Sequence, residues 1–176
     1  MHVMFDLETW GREPGCAIRS IGAVVFDPLT GDLGTRFYRN IDDESSKALG
    51  LTFDPETVAW WADQSEAAQA ALLADQRPVG EAVADFASWF TEVGGVQIYG
   101  HGAIFDVGIV ESVFRACYVD TPWNFWNVRC CRTILAMANR RPMRLASDVH
   151  HNALNDAEAQ ARAVAAAFRA QQFNPN

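Results

Sequence analysis

Two carboxylates set into an apolar strand constrain this chain more than any other feature. The run His2-Val3-Met4-Phe5-Asp6-Leu7-Glu8 carries the residue types of a β-strand that begins almost at residue 1. Successive side chains on a strand point to opposite faces, so Asp6 and Glu8 share a face, beside Met4. Two carboxylates side by side in apolar surroundings repel each other and lose hydration. They need compensation, and a divalent cation is the strongest kind available. An acidic pair where a strand gives way to a loop is also commonly just solvated. The metal reading therefore depends on further acids and a base at usable places.

At 176 residues the chain has the length of one domain, and its 49% apolar content suits a packed core rather than disorder. We expect a single domain over residues 1–176. No apolar run is long enough for a membrane span, and no basic-then-apolar stretch at the N-terminus reads as a signal peptide. Cys16, Cys117, Cys130 and Cys131 show no C-x-x-C spacing. That speaks against a zinc ribbon or a disulfide framework and fits a reducing cytoplasm. A net charge of −8 argues against a protein that coats nucleic acid through bulk charge. It is compatible with an enzyme that grips a few nucleotides beside bound cations.

Ile18 to Phe26 is apolar and β-branched, Asp27-Pro28-Leu29-Thr30-Gly31-Asp32 has turn chemistry, and Leu33 to Ile41 reads as a returning strand. Three strands thus come first, as an antiparallel meander. The polar stretch 42–50 reads as a connection. Asp54 as N-cap and Pro55 at the first helical position open a helix bearing Val58, Trp60 and Trp61. Ser65 caps a short helix ending near Asp75, and a helix from about Val79 to Val93 turns Val83, Phe86, Phe90 and Val93 inward. Val96 to Tyr99 is a short buried strand, Phe105 to Cys117 a helix, Trp126 to Cys131 a strand and Thr133 to Asn139 a helix. The last helix runs from about Ala153 to Gln171, with Leu154, Ala157, Ala161, Val164 and Phe168 as its inner stripe. This order predicts an α/β layer architecture, a central mixed sheet of about five strands flanked by helices.

Asp106 follows Gly100-His101-Gly102, so it lies in the loop after a short central strand or in the first turn of the next helix. Ligands gather at such strand ends in open α/β sheets, although an acid there also suits the helix dipole. Asp156 sits in the last helix and His151 in the approach to it; His151-Asn152-Ala153-Leu154-Asn155-Asp156 reads H-x-A-x-x-D. His150 competes with His151, and spacing alone does not separate them. Asp6, Glu8, Asp106 and Asp156 are four hard oxygen donors, the type that Mg²⁺ or Mn²⁺ prefers. Two such ions about 4 Å apart can clamp the attacking and leaving oxygens of a phosphodiester. A neutral His can take the proton from the attacking water near pH 7.

Asp6-Leu7-Glu8-Thr9-Trp10-Gly11 resembles the D-x-E-T-x-G first motif of the DnaQ-like, or DEDDh, 3′–5′ exonucleases of the RNase H-like superfamily. Phe105-Asp106 resembles their second motif, and His151 through Asp156 their third. Pro55-Glu56-Thr57-Val58-Ala59-Trp60-Trp61 followed by Gln64-Ser65 is similar to the phage DexA-type exonucleases and their small bacterial exoribonuclease relatives. The resemblance implies an RNase H-like fold and hydrolysis with two divalent cations, Mg²⁺ or Mn²⁺. It implies release of nucleoside 5′-monophosphates from the 3′ end of single-stranded DNA or RNA. By the same resemblance Asp6 bridges both ions, Glu8 and Asp156 hold the ion that carries the attacking water, and Asp106 completes the second ion's shell. His151 is then the general base. The chain departs from the family at Gly102, where many members carry Asn, and at Cys130, where relatives often place an acid. The resemblance also implies a homodimer, as in many small relatives.

The substrate-binding candidates are Thr9, Trp10 and Phe105 from the motifs, then Trp61, Arg129 and Arg132. Trp10 is placed either at the rim of the terminal-nucleotide pocket or packed on the sheet edge. Trp60 and Trp61 leave one helix in different directions, one toward the core and the other free for the cleft. Arg129, Arg132, Arg140, Arg141 and Arg144 form the dense basic stretch, suited to upstream phosphates or to a solvated helix face. Two other classes compete. A catalytically silent nucleic-acid-binding module has no need for all five of Asp6, Glu8, Asp106, His151 and Asp156. A polymerase-associated proofreading subunit is disfavoured by the short stretch after the last helix.

Overall fold

Alternation along the first strand organises the molecule. In β1 (His2–Thr9), Val3, Phe5 and Leu7 are buried in one apolar cluster and Met4 in another. The computed structural model describes residues 1–139 and 151–172. β1 is central: it pairs antiparallel with β2 (Ile18–Phe26) and parallel with β4 (Gln97–Gly100). β3 (Leu33–Asn40) extends the antiparallel side and β5 (Val128–Cys130) the parallel side, giving the order β3-β2-β1-β4-β5. The expected five-stranded mixed sheet and opening meander are both present.

Helices cover both faces. They are α1 (Asp43–Ala48), α2 (Pro55–Ala62), α3 (Glu66–Leu73), α4 (Val79–Glu92), α5 (Gly108–Ala116), α6 (Cys131–Met137) and α7 (Ala153–Gln171). On one face Phe86 and Phe90 of α4 and Val110 and Phe114 of α5 pack with Val3, Phe5, Ile98 and Trp123. On the other, Ala157, Ala161, Val164 and Phe168 of α7 and Leu135 of α6 pack on Met4, Val24 and Tyr99. Asp54 and Ser65 cap α2 and α3 through their side chains, as expected from sequence. No helix among the described residues is long and apolar enough to cross a membrane.

Four local expectations are corrected. The polar stretch after β3 contains α1, whose N-cap Asp42 accepts from the Ser45 amide at 2.7 Å; only Ser46 of that helix is buried, so no apolar period announces it. Ala103–Val107 forms a π-helical turn before α5 begins. The strand expected at 126–131 is Val128–Cys130, preceded by a 3₁₀ turn at Phe125–Asn127, and Cys131 already opens α6. α7 is buried well beyond one stripe, taking in Ala153, Ala159, Gln160, Ala163, Ala165 and Ala167, while Leu154 is only half-buried.

The small residues explain how α7 sinks so deep. It reaches the sheet over Gly22, where a Cβ would lie 2.1 Å from the Leu154 amide nitrogen and 2.3 Å from the Ala153 carbonyl carbon. Backbone meets backbone there, so only glycine fits. Gly22 pairs with Asp6 in register, which seats the start of α7 beside the first carboxylate.

Candidate active site

Three segments bring the acids together. β1 carries Asp6 and Glu8 on the face covered by α7, two residues apart as the pleat demands. α7 brings Asp156 in its first turn. Its N-cap Asn152 accepts from the Leu154 and Asn155 amides at 3.2 and 3.1 Å. Carboxylate oxygens of Asp6, Glu8 and Asp156 lie within 4.8 Å of one another. Asp106 comes from the π-helical turn after β4, a geometry common at functional sites. Its Oδ2 accepts from the Gly102 amide at 2.9 Å, and a Cβ on Gly100 would lie 3.0 Å from the Asp106 Cβ, so that glycine makes room for it.

Among the described residues the electrostatics are those of a crowded anion cluster. Burial, then Asp106 and Glu8, hold the Asp6 carboxyl well above its usual range, while a 2.7 Å hydrogen bond from Gln160 Nε2 to Asp6 Oδ1 opposes the shift. Burial, then Asp156, push Glu8 up to about 8, with the Arg19 guanidinium opposing. Burial pushes Asp106 up to about 6, against the amides of Gly102 and His101 and the charge of Arg132. Carboxylates crowded in this way are stabilised by a hard cation, and oxygen-only donors fit Mg²⁺ or Mn²⁺. The donor set therefore fits the divalent cations expected from the sequence. Asp6, Glu8 and Asp156 would hold them, with Asp106 alongside.

His151 precedes the cap of α7 and takes a left-handed φ of 62°, uncommon outside glycine. Its ring stands edge-on to Trp60 at 4.8 Å and to Trp61 at 5.9 Å between centroids. The aromatic wall behind it is well anchored. Trp61 Nε1 donates to the Thr9 carbonyl at 2.9 Å, and Trp10 Nε1 donates to Asp43 Oδ1 at 2.6 Å. The Arg19 guanidinium lies between the two indoles, 4.0 Å from Trp10 and 4.4 Å from Trp61. Arg19 is there because β2 bulges: Glu8 pairs with Ser20 and Thr9 with Ile18, leaving Arg19 as the extra residue.

The substrate candidates separate. Trp61 is only 3% exposed, so the indole expected in the cleft is core, and Trp60, at 44%, is the open one. Trp10 gives one face to Arg19 and packs against Phe53, so it is built into the wall rather than offered to a base. The Thr9 hydroxyl donates to the Gly11 carbonyl at 2.7 Å. Phe105 is half-buried against the α4–α5 core. Arg132 is exposed and acts on Asp106 and His101. Arg129 instead donates to the Trp126 and Val128 carbonyls and acts on His2 and Tyr99, away from the acids. His150, Arg140, Arg141 and Arg144 lie outside the described residues. Sequence reasoning missed Gln160, Arg19, Gly22 and the cap Asn152; of these only Asn152, a capping residue type just before the helix, carried a readable signal.

Comparisons with known proteins bear on the fold and the family. The structure is similar to exonuclease X in complex with 5′-overhanging duplex DNA: TM-score 0.62, 15% identity, 99% of this chain and 95% of that one covered. It is similar to exonuclease I at a TM-score of 0.61 and 17% identity, spanning 99% of this chain and 41% of that longer one. It is also similar to the nuclease domain of 3′hExo, a DEDDh family member bound to rAMP, at 0.57 and 12%, with 94% and 90% covered. These likenesses establish the RNase H-like exonuclease fold. No curated protein sequence matches the chain significantly. The profile of the Rv2179c-like 3′–5′ exoribonuclease domain matches residues 1–168. The chain belongs to that family and is a 3′–5′ exonuclease.

Proposed function

We propose that the enzyme removes nucleoside 5′-monophosphates from the 3′ end of single-stranded RNA, using two divalent cations and His151 as general base. The observation that carries the reading is the convergence of Asp6, Glu8 and Asp156 oxygens within 4.8 Å, with buried Asp106 beside them. RNA is the favoured substrate because the matching family is described as exoribonuclease. Bound divalent ions supply charge stabilisation of the phosphate and a more acidic water. Asp6, Glu8, Asp106 and Asp156 hold those ions. His151, braced by Trp60 and Trp61, accepts the proton of the attacking water. The exposed face of Trp60 offers the terminal base a stacking surface, and Arg132 offers charge to a phosphate beside Asp106. The four free cysteines suit a reducing compartment such as the cytoplasm.

A time course on matched RNA and DNA oligonucleotides, with and without a 3′-oligoadenylate tail, tests the substrate. Faster shortening of RNA in Mg²⁺, and none in EDTA, is the expected result. Equal or faster DNA hydrolysis would overturn the RNA assignment, and EDTA-resistant hydrolysis the role of the metal.

A further inference from the structure

We infer that Gln160 is a positioning residue for the metal centre, fixing the orientation of the Asp6 carboxylate against Glu8 and Asp156. The inference rests on the metal reading of the acidic cluster. Gln160 follows Asp156 by four residues on α7, so the two side chains share a helix face. It is 4% exposed, in a helix otherwise buried through Ala, Val and Phe. Its Nε2 donates to Asp6 Oδ1 at 2.7 Å. Its Oε1 is buried and has no hydrogen-bond partner among the described residues.

A buried amide with one half unsatisfied destabilises a fold, so packing alone favours an apolar side chain at this position. The amide that is present spends its one satisfied group on the carboxylate of β1. That bond ties the helix carrying Asp156 to the strand carrying Asp6 and Glu8. It also removes the rotational freedom that a carboxylate pushed by three neighbouring anions would otherwise use to turn away. Partners that orient metal-binding carboxylates contribute heavily to affinity, and losing one costs about 10- to 100-fold in metal affinity or activity.

The test measures Mn²⁺ binding by the EPR signal of the free ion, beside thermal unfolding of the metal-free protein and single-strand hydrolysis. For Gln160→Leu we expect Mn²⁺ affinity and kcat each to fall about 10-fold, while Tm equals or exceeds that of the wild type. In an Asp6→Asn background, adding Gln160→Leu should change Mn²⁺ affinity by less than about twofold, because the partner it orients is already altered. Should Gln160→Leu fail to fold, Gln160→Asn keeps the amide one methylene short of Asp6 and is expected to show the same loss. Wild-type-like Mn²⁺ affinity in the folded variant, or an equal loss in the Asp6→Asn background, overturns the inference. A wild type that binds no Mn²⁺ overturns the metal reading itself, and this inference with it.

Discussion

Adding one methyl group at Gly22 should disable the site from behind. An alanine Cβ there would sit 2.1 Å from the Leu154 nitrogen, 2.3 Å from the Ala153 carbonyl carbon and 2.5 Å from the Leu154 Cα. Ordinary contact begins at 3.4 Å, so the start of α7 must retreat by the difference between 3.4 and 2.1 Å, about 1.3 Å. No flexible side chain is available to absorb the clash, since all three atoms are backbone. Asp156 lies two residues farther along the same helix and moves with it. A misplacement of about 1 Å can cost about 100-fold in rate, and overpacking costs about 1–3 kcal/mol. For a chain of this length that is about 2–12 °C in Tm. Single-turnover release of the 3′-terminal nucleotide, measured beside thermal unfolding, should show both losses in Gly22→Ala. Gly34→Ala is the control, since a Cβ there meets nothing closer than the Val25 side chain at 3.4 Å, and it should turn over within about twofold of wild type. A Gly22→Ala enzyme with wild-type rate would show that α7 does not position Asp156 through this contact.

Stability of the metal-free protein should fall as pH rises. Glu8 at about 8 and Asp106 at about 6 bind their protons more tightly when folded than the unfolded chain does, whose values are 4.5 and 3.8. Over those windows the folded state holds more protons, so the slope of stability with pH is negative. Tm should therefore drop between about pH 5 and pH 9 and be restored by Mg²⁺ mainly at the upper end; a Tm that climbs over that range contradicts the assigned electrostatics. The two adjacent tryptophans should divide roles. Trp60→Ala should raise KM about 5- to 150-fold with little change in Tm, whereas Trp61→Ala should lose about 3–5 kcal/mol of stability. His151→Ala should abolish turnover while Mn²⁺ binding by EPR survives, and His150→Ala should behave as wild type; the reverse pattern would mean that the other histidine is the base.

What the sequence made legible follows physical rules that act locally. The pleat put Asp6, Glu8 and Met4 on one face, and Asp54-Pro55 marked the start of α2 because capping chemistry is confined to a few residues. α7 announced itself from Ala153 to Gln171. What stayed hidden depends on contacts distant in the chain. Nothing local distinguishes Trp60 from Trp61; the Thr9 carbonyl, 52 residues away, captures the indole N–H of Trp61 and buries it. Gln160 reads as one more polar residue in an Ala-rich helix until Asp6, 154 residues earlier, is placed beside it. Gly22 reads as a weak point in a strand until the backbone of α7 is laid over it. α1 escaped notice for a different reason, being short and polar with a single buried residue.

We propose that the Asp6 cluster hydrolyses single strands from the 3′ end. A 5′-labelled RNA single strand, incubated in Mg²⁺ with the wild type and with folded Asp6→Ala, is the decisive substrate. We expect a ladder that shortens one nucleotide at a time in the wild type, nucleoside 5′-monophosphates as the released product, and an intact strand with the variant. Internal fragments, nucleoside 3′-monophosphates, or undiminished hydrolysis by Asp6→Ala would contradict it.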